Sequence, residues 1–192
     1  MSLMTDAHAP ITDAPITGSQ ITGAPSSAAR SSAAVVEQAV RDVLDPEIPV
    51  LTLDDLGIVR EVAVDAAAGV VAVALTPTYS GCPATEVIAA DVAAAVRAHG
   101  YKPSVSLRLA PAWTTDWMTD RGRDRLREFG IAPPGRVDAR RVSGLTLSIR
   151  RAACPRCAST DTEEISRFGS TPCKALRRCL TCREPFDEFK PL

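Results

Sequence analysis

Histidine, lysine and aromatic residues are scarce in this 192-residue chain, and neither sign of charge is in surplus. With His8 and His99 the only two histidines, a Ser/His/Asp set has no good residue to run on. Lys+Arg number 22 against 23 Asp+Glu, so the net charge of -1 gives no electrostatic reason to bind nucleic acid or an anionic membrane. No apolar run approaches the roughly 18 to 20 residues that a membrane span needs, which excludes a spanning helix. No positive charge precedes Arg30 and no continuous apolar core follows the start, so a secretory signal is not expected and the cytoplasm is the expected compartment. A Walker-type loop, a dinucleotide fingerprint and a di-iron Glu-x-x-His pair are missing too, which argues against an independent enzyme. Arg far outnumbers Lys and Ala is abundant, a bias of composition that carries no functional weight.

What is present is 45% hydrophobic residues at a mean hydropathy near zero, enough for one ordinary core with a small appendage. Residues 1–30 hold too few large apolar groups to offset the entropy of ordering, and a five-residue near-repeat starting at Ile11, Ile16 and Ile21 is too short for a solenoid, so a disordered low-complexity tail is expected. Ser31 or Ser32 then caps a helix bearing Val35, Val36, Ala39, Val40, Val43 and Leu44 at helical spacing, with Asp45-Pro46-Glu47 as its stop. β-Branched runs at 58–64 and 70–75 read as a hairpin, 83–99 as a helix, Val105, Leu107 and Leu109 as a third strand, and 120–129 as a charged helix closed by Gly130. The expected fold is α+β, a small α-β-β-α-β-α two-layer domain over 31–134, followed by a linker over 135–144 and a cysteine-organised module over 145–192.

Cys154-Pro155-Arg156-Cys157 and Cys179-Leu180-Thr181-Cys182 stand 21 residues apart, close to the spacing of a four-thiolate zinc site. Two residues between ligands let each pair grip one tetrahedral ion, and strands at 162–168 and 174–179 complete a zinc ribbon. In a reducing compartment such pairs are metal ligands rather than disulfides, and a module this small needs the metal to fold. Iron is the alternative occupant, since thiolates also suit iron-sulfur chemistry. Cys173 is a fifth thiol in this module, either a small half-buried residue or an additional ligand. Arg177, Arg178 and Arg183 cluster there, but residues 151–192 hold eight basic and six acidic groups, and four metal-bound thiolates would cancel the excess, so no nucleic-acid partner is expected.

Cys82 lies at the expected strand-to-helix turn, with Pro83 at the first helical position. A helix N-terminus favours thiolate, so Cys82 is either a reactive thiol or an inert cap. Asp45, Glu47, Asp54 and Asp55 are close enough in the chain to approach that turn, or are solvated carboxylates. Trp113 and Trp117, the only tryptophans, read as a cap on the core or as a partner surface. His99, near a helix C-terminus, makes a favourable dipole contact.

Asp45-Pro46-Glu47, Asp55-Leu56-Gly57-Ile58-Val59, Thr76-Pro77-Thr78 with Gly81-Cys82-Pro83, and Pro111-Ala112-Trp113 together resemble the signatures of the metal-sulfur cluster biosynthetic (SufT-like) domain over roughly residues 33–134. The two knuckles, with Phe168 to Ala175 between them and Arg183-Glu184-Pro185-Phe186 after, are similar to the PaaD family that accompanies bacterial phenylacetyl-CoA epoxidase. The resemblance implies a zinc-ribbon αβ protein in aerobic phenylacetate degradation, an accessory that assists maturation of iron-sulfur protein beside a di-iron oxygenase and a reductase carrying a [2Fe-2S] cluster. It also implies that Cys82 handles transient iron or cluster, with Asp45 and Glu47 as its acidic motif, and that Cys154, Cys157, Cys179 and Cys182 hold metal. A single Cys82 would hold such cargo by pairing across a homodimer or with the client, the reductase component and the oxygenase subunits being the implied partners. Two other readings are a structural subunit of the oxygenase complex and an iron-binding electron-transfer component.

Overall fold

The computed structural model describes residues 30–79, 81–135 and 152–191. The expected tail up to residue 29, the linker from residue 136 and the first residues of the expected ribbon, 145–151, lie outside the described residues.

Ser32 stands in extended conformation at the N-cap of helix α1 (Ala33–Arg41), and Val36 and Val40, four residues apart, are fully buried. The helix stops short of the expected Asp45-Pro46-Glu47 signal because the chain folds back on itself. The Leu53 N–H donates to Val43 O at 2.8 Å, the Asp45 N–H donates to Leu51 O at 2.9 Å, and Leu44 bridges Thr52. A short helix α2 (Leu53–Leu56), which the sequence pattern does not announce, begins with a Thr52/Asp55 capping box and ends at Gly57, φ +68°. A Cβ at Gly57 would lie 2.4 Å from the Trp117 carbonyl oxygen, so glycine is required there by space as well as by φ.

Strands β1 (Val59–Asp65) and β2 (Val70–Leu75) form the antiparallel hairpin. Helix α3 (Thr85–Ala98) then crosses back so that β3 (Lys102–Leu107) lies parallel to β2, giving the order β1-β2-β3. Val71, Val73 and Leu75 share one buried face and meet Ile88, Val92 and Val96, which recur every four residues on α3. Leu109, expected on the third strand, lies past its end and is exposed. A 3-10 turn at Thr115–Trp117 leads to α4 (Asp120–Phe129), whose first turn is capped by Thr119. The order α-β-β-α-β-α holds, with α2 and the 3-10 turn inserted.

The second sheet joins the two halves of the chain. Its order is β4-β7-β6-β5, where β4 (Ile131–Ala132) directly follows α4, and β5 (Thr162–Ser166), β6 (Lys174–Cys179) and β7 (Pro185–Phe189) belong to the cysteine-rich end. Ile131 pairs with Asp187 and Ala132 with Glu188 in parallel register. Phe189, fully buried, joins the main core with its ring centroid 6.0 Å from that of Trp113, a burial worth about 1.5–3 kcal/mol. The ribbon's own core is small: Ala132, Cys154, Cys179 and Phe186. Arg177 is paired with Glu188 at 2.9 Å and Arg178 with Glu163, so two of the clustered arginines are engaged in cross-strand pairs. Among the described residues no helix is long and apolar enough to cross a membrane.

Candidate functional site

Two groups of thiols stand out. The first is the pair of knuckles, which are near copies of each other. In each, the first cysteine's N–H donates to the carbonyl five residues on: Cys154 to Ser159 at 2.9 Å, and Cys179 to Glu184 at 3.0 Å. In each, the residue after the second cysteine has positive φ, 60° at Ala158 and 66° at Arg183. Non-glycine residues hold such angles at a cost of about 1–3 kcal/mol, a sign that the turn geometry is strongly determined. The four sulfurs lie within 4.8 Å of one another, with Cys154 Sγ to Cys182 Sγ at 3.7 Å and Cys157 Sγ to Cys179 Sγ at 3.5 Å. A tetrahedron of metal–sulfur bonds about 2.3 Å long has edges of about 3.8 Å, so the thiols are already spaced for one ion. The Cys182 N–H, donating to Cys179 Sγ at 3.4 Å, helps hold the Cys179 thiol down at about 6, as a ligand that must give up its proton requires.

The second group surrounds a cavity of about 20 Å³ where the ribbon meets the first domain. Asp45, Glu47, Cys82 and Cys173 face it, among apolar walls that include Leu75, Ile88, Leu107 and Phe189. Asp45 owes its position to the loop after α1: its Oδ1 accepts the N–H groups of Glu47 at 2.9 Å and Ile48 at 2.8 Å. Cys82 sits in a turn closed by its N–H to Tyr79 O, and α3 begins only at Thr85 with Ala84 as cap. Pro83 is therefore in the turn before the helix and not at its first position, a correction that follows from the Thr85 N–H bonding to Cys82 O. Cys173 comes from the ribbon, in the turn before β6, with Thr171 Oγ1 at 3.0 Å and Glu47 Oε2 at 4.0 Å.

The electrostatics here reverse the expectation drawn from the helix N-terminus. Burial pushes the Cys82 thiol up, and Glu47 and Asp45 add to this, against the lowering effect of hydrogen bonds from the Ala84 N–H and Thr85. Burial likewise raises Cys173, with Glu47 adding to it. Asp45 is raised by burial despite its two N–H partners, and Glu47 by burial and by Asp45. Lys174, buried beside Asp187 at 3.8 Å, acts on Asp45, Glu47 and Cys173 in the opposite sense. All four acidic groups around this small space are shifted toward their protonated forms, and the two carboxylates, when ionised, disfavour the thiolates beside them.

Asp54 and Asp55, which the sequence leaves as either neighbours of the Cys82 turn or solvated carboxylates, are engaged in ion pairs away from it. Asp54 pairs with Arg41 at 3.0 Å. Asp55, fully buried, binds Arg121 Nε at 2.6 Å, Arg125 Nη1 at 2.7 Å and Thr119 Oγ1 at 3.1 Å, partners that hold it below the usual carboxylate range although burial opposes them. Trp113 is buried, its Nε1 donating to Leu56 O at 2.9 Å, and the Arg60 guanidinium stacks 3.6 Å over the Trp117 ring. The surface that Trp113 covers is thus internal, between domain and ribbon. His99 follows α3 and its Nδ1 meets Ser31 Oγ at 2.9 Å. That Cys173 lines the same cavity as Cys82 is not legible in the sequence; the odd number of cysteines within the ribbon is its only signal.

Comparison with known proteins matches residues 33–107 to the iron-sulfur cluster assembly protein family and residues 139–190 to the PaaD zinc beta ribbon domain. A protein of Escherichia coli (strain K12), named as one of the subunits of 1,2-phenylacetyl-CoA epoxidase, is 54% identical over 147 residues, covering 76% of this chain and 85% of its own length. An Fe-S protein maturation auxiliary factor of Porphyromonas gingivalis is 38% identical over 87 residues, 44% of this chain and 81% of that one. Among solved structures, a conserved hypothetical protein of Thermotoga maritima matches 51% of this chain and 96% of its own at 26% identity and a TM-score of 0.43.

Proposed function

This chain belongs to the PaaD family, and from that membership we propose that it serves the 1,2-phenylacetyl-CoA epoxidase system as an accessory subunit that matures iron-sulfur protein, with the reductase component as client. Residues 31–134 are the cluster-biosynthetic unit and 145–192 the ribbon, and the protein works in the cytoplasm. The observation that carries this reading is the cavity that brings Cys82 to the Asp45-Pro46-Glu47 loop, from which it is separated by more than thirty residues of chain. Thiolate and carboxylate donors suit ferrous iron, and donors that must first lose tightly held protons release it readily, as cargo requires.

The four knuckle thiols fit zinc. When bound, it supplies folding free energy of about 10–16 kcal/mol to a module whose own core is too small. Cys154, Cys157, Cys179 and Cys182 would hold it, and four protein thiolates leave no open position for a substrate, which gives it a structural role. The relatives' names support the assignment from both ends, one naming the epoxidase and one a maturation factor.

The test is the [2Fe-2S] content of the reductase purified after co-production with the wild-type chain, with Cys82→Ser, or with neither. Equal loss of occupancy in the last two is expected. Equal occupancy in all three would end the maturation reading and leave a purely structural subunit.

A further inference from the structure

We propose that Cys173 is the second thiol of the cargo site, so that one chain holds a single thiophilic divalent cation between Cys82 of the first domain and Cys173 of the ribbon, with Glu47 as a carboxylate ligand. The inference rests on the maturation reading for its purpose but on the geometry for its residues. It removes the need for a second chain to supply a second thiol.

Three observations lead to it. Both thiols line the same cavity from opposite sides of the seam, and Cys173 reaches Glu47 Oε2 at 4.0 Å. Cys173 takes no part in the knuckles: the set of sulfurs within 4.8 Å of one another is Cys154, Cys157, Cys179 and Cys182. Its backbone is pinned, because its carbonyl accepts the Lys190 N–H at 2.9 Å, next to Phe189, which is itself buried in the main core. The thiol is therefore held over the cavity by the docking of the ribbon.

The dimensions select the cargo. A space of about 20 Å³ takes roughly one water-sized occupant, which matches a single dehydrated ion. Two sulfurs with carboxylate oxygen favour Fe²⁺ or Zn²⁺ over Mg²⁺ or Ca²⁺. Among the described residues the knuckles are the one set of three or more donors within 4.8 Å of each other, so the seam donors stand apart until an ion draws them in. Binding displaces the thiol protons to solvent and forms two metal–sulfur bonds, with no change of oxidation state.

The test uses the full chain purified with one equivalent of zinc retained, titrated anaerobically with Co²⁺ as the probe and followed by its thiolate-to-cobalt charge-transfer band and by zinc release. Wild type is expected to bind one equivalent of cobalt without losing zinc. Cys82→Ser and Cys173→Ser should each halve the band and weaken that binding by about 100-fold or more, since even partners of a ligand are worth 10–100-fold. The double variant should bind no more weakly than either single one by more than a small factor. Retained zinc shows that a variant is folded, and Cys173→Ala repeats the test without a hydroxyl that could substitute.

Wild-type behaviour in both Cys173 variants, with loss in Cys82→Ser, would overturn the proposal and leave the maturation reading with Cys82 alone. Cobalt uptake matched by zinc release would overturn it as well. If cobalt needs both thiols but reductase occupancy is indifferent to Cys82, the site stands and the maturation reading falls.

Discussion

The knuckles and the seam use the same functional group in opposite ways. At the knuckles, short turns repeat one hydrogen-bond pattern and place four sulfurs within 4.8 Å of one another, the spacing of the ligands of one metal ion. A backbone N–H there holds one thiol down at about 6. At the seam, two thiols come from distant parts of the chain, are pushed up by burial and by carboxylates, and do not form a set of three donors within 4.8 Å with the carboxylates beside them. A closed set of four ligands at bonding spacing retains its ion, whereas an open set must rearrange to accept one and so returns it easily. The difference lies in whether the local chain or the docking of two modules sets the positions.

The largest effect should come from breaking the closed site. Cys179→Ser or strong chelation removes binding energy on the order of 10 kcal/mol, and the ribbon should lose its amide protection in hydrogen exchange while the α3 amides keep most of theirs. Equal loss in both would erase the contrast between a locally built and a docked site.

Next in size is the docking itself. Phe189→Ala should lower stability by about 3–5 kcal/mol, the range for a buried aromatic reduced to alanine, measured by denaturant unfolding. Because Phe189 also walls the cavity, this variant should lose cobalt at the seam yet retain zinc at the knuckles. Retention of both ions would show that the seam does not depend on docking.

A smaller effect, and a control remote from both thiol groups, is Asp55→Asn. It removes the charge facing Arg121 and Arg125 and should cost on the order of 2–3 kcal/mol with neither ion affected. Since Asp55 is held below its usual range, its contribution is fully present above the unfolded value near pH 4 and is lost as pH falls through the lower folded value. Acid unfolding followed by circular dichroism should therefore be shallower at its low-pH limb in Asp55→Asn than in wild type. Smallest of all, Cys173→Ser should shift stability by less than about 1 kcal/mol, since it changes only one half-buried atom in a cavity already present.

How far the fold could be read from the chain follows the same division. Features set by nearby residues were legible: β2 at 70–75, α4 at 120–129 and β6 at 174–179 fall where periodicity and stop signals put them. The knuckle spacing pointed to four sulfurs that the structure brings together. Features set by contact between remote segments were not. Nothing in Ile131-Ala132 announces that it will pair with residues near 187, two residues being too few for a pattern. Asp55 looked like a solvated loop carboxylate because the arginines that pair with it lie some 70 positions on. Cys82 looked acidified by a helix end because its sequence neighbours do not show that two carboxylates and an apolar wall surround it.

The hydrogen bond from the Lys190 N–H to the Cys173 carbonyl has a consequence in time. Cys173 reaches its place only after β6 and β7 have paired, and that sheet forms around the knuckle ion. On the proposed function, loading of the knuckle metal comes before capture of an ion at the seam, and a chain without its first metal has no grip on the second. By reciprocity, an ion at the seam tightens the equilibrium binding of the ribbon ion. Under that proposal the chain is a two-step lock, whose outer step opens and closes on each delivery while the inner one is turned once.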